Sequence, residues 1–261
     1  MKEIAILIPI HKIDGKDEQE MVNKAISSVN DCQTNCQCEL HKYVILGSDC
    51  GGVILPVDCT VLKNDGDSDF CSQINYGAKN ITEDYFSILE FDDEYSPKWF
   101  SMFEKYYYTH EDVSVFLPIN VDSFSNEGYR QFGNEAPWAM QFSQELGFID
   151  FKCLENYYGV NLTGGVFNRN DFLSVGGLKP SIQVAFNYEF LLRLTNKKLK
   201  VYVIPKEGYH HVIGRSGSLM DVCAEKFTQE EVDKWYALAK EEYQYEEDRK
   251  IDIYSNTQDK E

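Results

Sequence analysis

The feature that most limits what this chain can fold into is an unbroken apolar run near its start, Ile4-Ala-Ile-Leu-Ile-Pro-Ile10. A strand with one face in water alternates apolar and polar residues, whereas a continuous run of strand length must be covered on both faces. The next segment has helical spacing: Met21, Val22, Ala25, Ile26 and Val29 share one stripe. The alternation then repeats. Tyr43–Leu46 reads as strand and Thr60–Leu62 as a weaker one; Phe70, Ile74, Gly77 and Ala78 form a helical stripe; Tyr85–Leu89 is strand again. Trp99, Phe100, Phe103, Tyr106 and Tyr107 make a further helix face, and Val113–Leu117 a further strand. Strands alternating with helices of ordinary length predict an α/β fold around a mainly parallel sheet. In such sheets ligands bind at the carboxyl ends of the strands.

One strand end carries unusual chemistry. The run Ile88-Leu-Glu-Phe-Asp-Asp-Glu-Tyr-Ser-Pro97 passes abruptly from apolar residues to the acids Glu90, Asp92, Asp93 and Glu94. Crowded carboxylates repel one another and raise each other's pKa unless a cation sits among them. Oxygen ligands of this kind suit Mg2+ or Mn2+, usually shared between one or two carboxylates and substrate phosphates. The competing reading is a solvated strand-to-helix turn, with Ser96 as cap and Pro97 at the first helical position.

Composition narrows the function. At 43% hydrophobic and 26% charged, the 261 residues suffice for a sizeable core, in one large domain or two fused halves. A net charge of −18 argues against a protein that gains its affinity from nucleic-acid phosphates. No window approaches the length of a membrane span. The charged and then apolar N-terminus is too short for a signal peptide and reads as a first strand. A cytoplasmic protein with reduced thiols is expected from its eight cysteines. Cys32, Cys36, Cys38 and His41 are zinc-type ligands, but their spacing is not that of a finger, and ordinary thiols are expected.

Beyond residue 119 the pattern loosens. A helix is expected around Trp138–Leu146, then the glycine-bearing segment Asn161-Leu-Thr-Gly-Gly-Val-Phe-Asn168, a short helix from Asn170 and a turn at Gly176-Gly177. Asn187–Thr195 reads as helix and Leu199–Ile204 as the last strand. The tail opens with a capping box, Thr228 with Glu231, and places Val232, Trp235, Ala239 and Tyr243 on one helical face.

Taken in order, these segments resemble family 2 glycosyltransferases. Ile4–Ile10 is similar to the family's opening strand, which ends in Pro before the nucleotide loop, and Val44-Ile-Leu-Gly-Ser-Asp49 to its acid-ended second strand. Gln73-Ile-Asn75-Tyr-Gly77 is similar to the Ala-Arg-Asn-x-Gly helix, and Leu89-Glu-Phe-Asp-Asp93 to the metal motif Leu-Asp-x-Asp-Asp. Thr163–Arg169 through Val175-Gly-Gly177 resembles the acceptor-side segment. The resemblance implies a GT-A fold with a Rossmann-like sheet: residues 1–118 as the nucleotide-sugar half, 119–218 as the acceptor half of the same domain, and 219–261 as an acidic helical tail. It implies transfer of a sugar from a nucleotide diphosphate donor, most simply a UDP-sugar, to a hydroxyl acceptor with Mn2+ or Mg2+. Asp92 would then be a metal ligand, Glu90 would lie near the ribose or metal, and Asp93 would back them or bind the donor sugar. Pro9, Ile10, His11 and Asp49 would hold uracil and ribose. His211, beside His210, would be a third metal ligand, and Arg215 would meet the diphosphate.

One departure stands out. Inverting members place an Asp base where this chain has Asn187, in Phe186-Asn-Tyr-Glu189-Phe-Leu-Leu-Arg193. An amide cannot accept a proton at neutral pH. Glu189 could serve as base, or it could form an ordinary ion pair with Arg193 at i+4. The acceptor proton could also leave through another group or the donor phosphate. Two alternatives remain: glycosylation of a hydroxylated DNA base, as in some viral enzymes (the setting then being an infected host cell rather than a bacterium), and a non-catalytic nucleotide-sugar-binding module.

Overall fold

The computed structural model describes residues 2–11, 13, 15–48, 50, 52–124, 130–139, 146–182, 184–213, 223 and 225–255. Its centre is a ten-stranded sheet in the order β3-β2-β1-β4-β9-β6-β10-β5, with β7 on β6 and β8 on β10. The strands are β1 Glu3–Ile10, β2 Glu39–Leu46, β3 Cys59–Lys63, β4 Tyr85–Ile88, β5 Glu94–Tyr95, β6 Val113–Phe124, β7 Arg130–Gly133, β8 Phe148–Ile149, β9 Val166–Asn168 and β10 Lys200–Ile213. Strands β1, β2, β3, β4, β6 and β10 run one way; β5, β7, β8 and β9 run against them. The sheet is thus mainly parallel, as the alternation predicts.

The apolar run becomes β1, flanked by β2 and β4 and buried from Ile4 to Ile10. Its alternation divides the core. Ile4, Ile6, Ile8 and Ile10 face one hydrophobic cluster, with Val22, Ala25, Ile26 and Val29 of α1 (Lys16–Gln33) and Trp99, Phe100 and Phe103 of α3 (Trp99–Tyr107). Ala5 and Leu7 face the other, with Ile74 and Ala78 of α2 (Phe70–Asn80) and Phe190, Leu191 and Leu194 of α7 (Phe186–Asn196). Between α3 and α7 come α4 (Glu135–Ala139), α5 (Phe151–Asn156) and α6 (Arg169–Ser174).

Three residues of α2 fix its place, and one of them, Asn75, ties the two halves of the sequence together. Gln73 Nε2 donates to the Ile10 carbonyl at 2.9 Å. Gly77 lies so close to β1 and β2 that a Cβ there would meet Ile45 Cδ1 at 2.6 Å. Asn75 makes a two-way clamp, accepting from Leu178 N at 2.8 Å and donating to Leu178 O at 2.7 Å. The adjacent Gly177 has φ +70°, and a side chain there would run into the Asn75 amide.

Several elements differ from expectation. The last strand does not end at Ile204 but continues to Ile213, through register shifts between Val203 and Tyr209. Pro205 and Gly208 break the alternation that would have revealed it, while the equally long β6 provides the partner. β6 itself runs across residue 118, so one strand spans the boundary between the expected halves. The helix expected around Trp138–Leu146 is α4, ending at Ala139; residues 140–145 lie outside the described residues. Ser96 and Pro97 do not open α3, whose N-cap is Lys98. The tail helix α8 (Gln229–Ser255) starts at the expected box, Glu231 Oε2 accepting from Thr228 N at 2.8 Å, and buries Ala239 and Tyr243. Among the described residues no helix is long and apolar enough to cross a membrane.

Replacing Asn75 by Ala should cost on the order of 2 kcal/mol, because it removes both bonds to Leu178 and leaves that backbone unpaired. Urea unfolding of the variant against wild type checks this.

Candidate active site

Strands β1, β2 and β4 end side by side, so the segments after them share one edge of the sheet. After β4 the chain makes a tight turn closed by Asp93 N donating to Glu90 O at 3.2 Å. Such a turn brings its first and fourth residues together. Glu90 and Asp93 therefore converge, and β10 adds His211: the three offer ligand atoms within 4.8 Å of one another. Asp92, the sequence's candidate for direct metal ligation, is half-buried at the third turn position and lies outside this group. The turn geometry brings Glu90 and Asp93, rather than Asp92, beside His211.

The turn is fastened to the sheet by Tyr209, a fully buried β10 residue whose hydroxyl accepts from Glu90 N at 3.0 Å. Its ring packs where residue 164 has no side chain; a Cβ on Gly164, at φ +76°, would meet it at 2.6 Å. Asp93 Oδ1 accepts from Val212 N at 2.9 Å, while its buried Oδ2 has no hydrogen-bond partner among the described residues. Burial, and then the Glu90 and Asp92 carboxylates, push Asp93 well above the usual carboxylate range. For His211, burial works against the charged ring. The Asp122 hydrogen bond and the Asp93 and Glu90 carboxylates outweigh it and hold the ring at about 9. These shifts compete, because a proton on Asp93 removes one of the charges that raises His211. The upward shift of Asp93 is the firmer of the two, since it is 1% exposed and half its carboxylate is unpaired. The group is short of positive charge and has a buried oxygen to offer, which fits a divalent cation with mixed O and N ligands.

The remaining sequence candidates scatter around this group. His11 is exposed and its ring lies 5.9 Å from Phe91, linking the end of β1 to the acidic turn. Pro9 and Ile10 are buried strand residues, and the Ile10 carbonyl is already occupied by Gly47 N, Gln73 Nε2 and Cys50 Sγ. Asp49 and Arg215 lie outside the described residues. His210 turns to Ser96, with Nε2 and Oγ 3.0 Å apart, and does not join His211. The zinc-type cluster does not converge: His41 Nδ1 pairs with Glu83 at 2.6 Å, and Cys32 Sγ donates to the Ser96 carbonyl. Burial pushes Cys32 up to about 12 and Cys36 up to about 11.

Helix α7 carries the other candidates. Glu189 is fully buried, and its oxygens receive Arg193 Nε at 3.0 Å, Arg193 Nη2 at 2.7 Å, Lys179 Nζ at 2.8 Å and the Tyr243 hydroxyl at 2.8 Å. Arg193 also donates to the Val175 carbonyl. The Glu189 carboxylate thus makes the i+4 ion pair with Arg193 and ties α7 to the Lys179 loop and to α8. Asn187, two residues earlier, has a buried Oδ1 without a partner among the described residues.

Sequence reasoning missed Asp122. Its Oδ1 lies 3.2 Å from His211 Nδ1. The available signal was the alternation Ile119-Asn-Val-Asp-Ser123, which puts Asn120 and Asp122 on one face of an otherwise apolar strand.

Sheet order and site position define a fold of the GT-A glycosyltransferase type. The chain is similar to S. aureus TarS 1–349 in complex with UDP, with a TM-score of 0.60 and 12% identity over 92% of this chain and 70% of that one. The complex of TarS 1–349 with UDP-GlcNAc gives 0.60 and 11% over 84% and 61%. TarS 1–349 itself gives 0.58 and 12% over 81% of this chain, which spans 60% of the TarS chain's length. No protein-family model and no curated protein matches the chain.

The Glu189 network sets a pH dependence. Burial alone would raise this carboxyl, but Arg193, Lys179 and Tyr243 outweigh it and hold it below its ordinary range. Its stabilising contribution is fully present above the unfolded-state pKa of about 4.3 and is lost as pH falls through the lower folded value. Glu189→Gln should therefore destabilise the protein at pH 7 by about 3–5 kcal/mol, because two cations lose their partner. The loss should shrink as pH drops below about 4, in denaturant titrations run across that range.

Proposed function

We propose that this chain is a metal-dependent glycosyltransferase that takes a sugar from a nucleotide diphosphate donor, most simply a UDP-sugar, to a hydroxyl acceptor. The observation that carries the proposal is the Glu90–Asp93–His211 group, with its unpaired Asp93 oxygen, at the strand ends of a GT-A fold. The TarS complexes with UDP and UDP-GlcNAc support the choice of donor.

Glu90, Asp93 and His211 would hold Mn2+ or Mg2+, which supplies charge neutralisation for a departing diphosphate. The protein's own work is to bind and orient. Asp92, expected from the resemblance as the metal ligand, would instead serve the donor side of the turn, the role first expected of Asp93. His11, whose ring lies near Phe91, would face the nucleotide, and Asp49 and Arg215, both outside the described residues, are retained as candidate nucleotide and diphosphate contacts. The acceptor would approach from α7, where Asn187 replaces an acid and Glu189 is enclosed. A saccharide suits the acceptor role better than a hydroxylated DNA base, given the net charge of −18.

The binding-module reading is favoured by one specific observation, the lack of an available carboxylate at Asn187 or Glu189 among the described residues. Transfer assays separate it from the enzyme.

Calorimetry should find UDP binding that requires Mn2+; equal affinity in EDTA would overturn the proposal. Asp93→Asn should remove the Mn2+-linked part of the UDP affinity, and Asp92→Asn should weaken it less. The opposite ranking would return the ligand role to Asp92. Asn187→Asp should preserve or raise transfer, by up to about 10²–10⁴-fold if a general base is restored. Gain of transfer from an inert parent would identify the natural chain as a binding module.

A further inference from the structure

A residue on β6, outside the cation group itself, is placed to decide which nitrogen of His211 faces Glu90 and Asp93. The parallel register of β6 and β10 sets Asp122 opposite His211. Asp122 Oδ1 lies 3.2 Å from His211 Nδ1. On its other side, the antiparallel register of β7 sets Gln131 opposite Asp122, and Gln131 Nε2 donates to Oδ2 at 3.4 Å. Asp122 is 8% exposed, and its carboxylate is held from both neighbouring strands. An imidazole has two unlike nitrogens, and the partner of one determines what the other can offer. With Nδ1 engaged by Asp122, Nε2 is the nitrogen left for the space between the two acids.

We propose that Asp122 is a positioning residue for His211, whose Nδ1 it engages so that Nε2 is presented to a divalent cation between Glu90 and Asp93. This rests on the metal reading of that group. A carboxylate behind a ligating imidazole fixes the ring's tautomer and orientation and makes the ring a better donor. The competing role, simple charge compensation of a half-buried histidine, would not require the carboxylate to sit on Nδ1 or the cation on Nε2. Nor would it be satisfied by a neutral amide.

The test is Mn2+ affinity, read from the free-ion EPR signal during titration of the full chain, without substrate. Asp122→Ala should weaken Mn2+ binding by about 10–100-fold. Asp122→Asn, which keeps an oxygen to accept from Nδ1–H, should retain most of the affinity. His211→Ala should weaken binding at least as much as Asp122→Ala. Wild-type affinity in Asp122→Ala alongside a weakened His211→Ala overturns the proposal and leaves the metal reading standing. Wild-type protein that binds no Mn2+ removes the metal reading and this proposal together. A second measurement needs no variant to fold: ring-nitrogen NMR of 15N-histidine protein loaded with Cd2+, a diamagnetic substitute. The expected spectrum has the proton on Nδ1 of His211 and the metal on Nε2; the reverse assignment overturns the proposal.

Discussion

The candidate site depends on one buried side chain, Tyr209. Its hydroxyl accepts the Glu90 amide, so the acidic turn is fastened to the long strand that also carries His211. Its ring stands edge-on to Tyr95, 5.6 Å away, and Tyr95 in turn shares a 2.7 Å hydrogen bond with Ser87 on β4. Gly164 makes room for the ring by having no side chain. The stretch from Ser87 to Tyr95, the Gly164 turn and β10 thus meet through one aromatic residue. A change at any of them would shift the relation between the acids and the imidazole, because a close-packed interior transmits displacement rather than absorbing it.

Polar satisfaction is distributed unevenly around that anchor. At Glu189 both oxygens are engaged by donors, and two helices and the Lys179 loop are joined through one carboxylate. At the acidic turn, Asp93 keeps a buried oxygen without a partner among the described residues, and Asn187 does the same at the head of α7. Unpaired buried polar atoms are costly, and a fold that keeps them at the ends of its strands has left room for something to pair with them. The contrast separates a carboxylate that holds the structure together from one available for chemistry, although both are buried acids at helix or strand ends.

The interior strands and the helices packed on them were legible because burial on both faces or along a stripe leaves a periodic trace. β1, α1, α2, α3 and the tail helix all carry it. The short antiparallel strands β5, β7, β8 and β9 were not legible. Two to four residues are too few for a period, and each exists only because a longer strand lies beside it. The second half of β10 was hidden for a related reason, since Pro205 and Gly208 interrupt a strand that β6 nevertheless sustains.

For the site, the sequence alone determined that acids crowd a strand end, that a histidine pair lies far along the chain, and that an amide stands where a base was expected. Those are properties of residue type and order. Which acid meets which histidine was decided by the tertiary structure. The turn from Glu90 to Asp93 selects the first and fourth residues, and the register of β10 on β6 turns His211 inward and His210 toward Ser96. Asp122 enters by the same register. Glu189, the nearest carboxylate in sequence to the missing base, is drawn instead into an ion-pair network by Lys179 and Tyr243. Local sequence carries helix and strand periods, but the convergence of side chains from separate strands exists only once those strands are aligned.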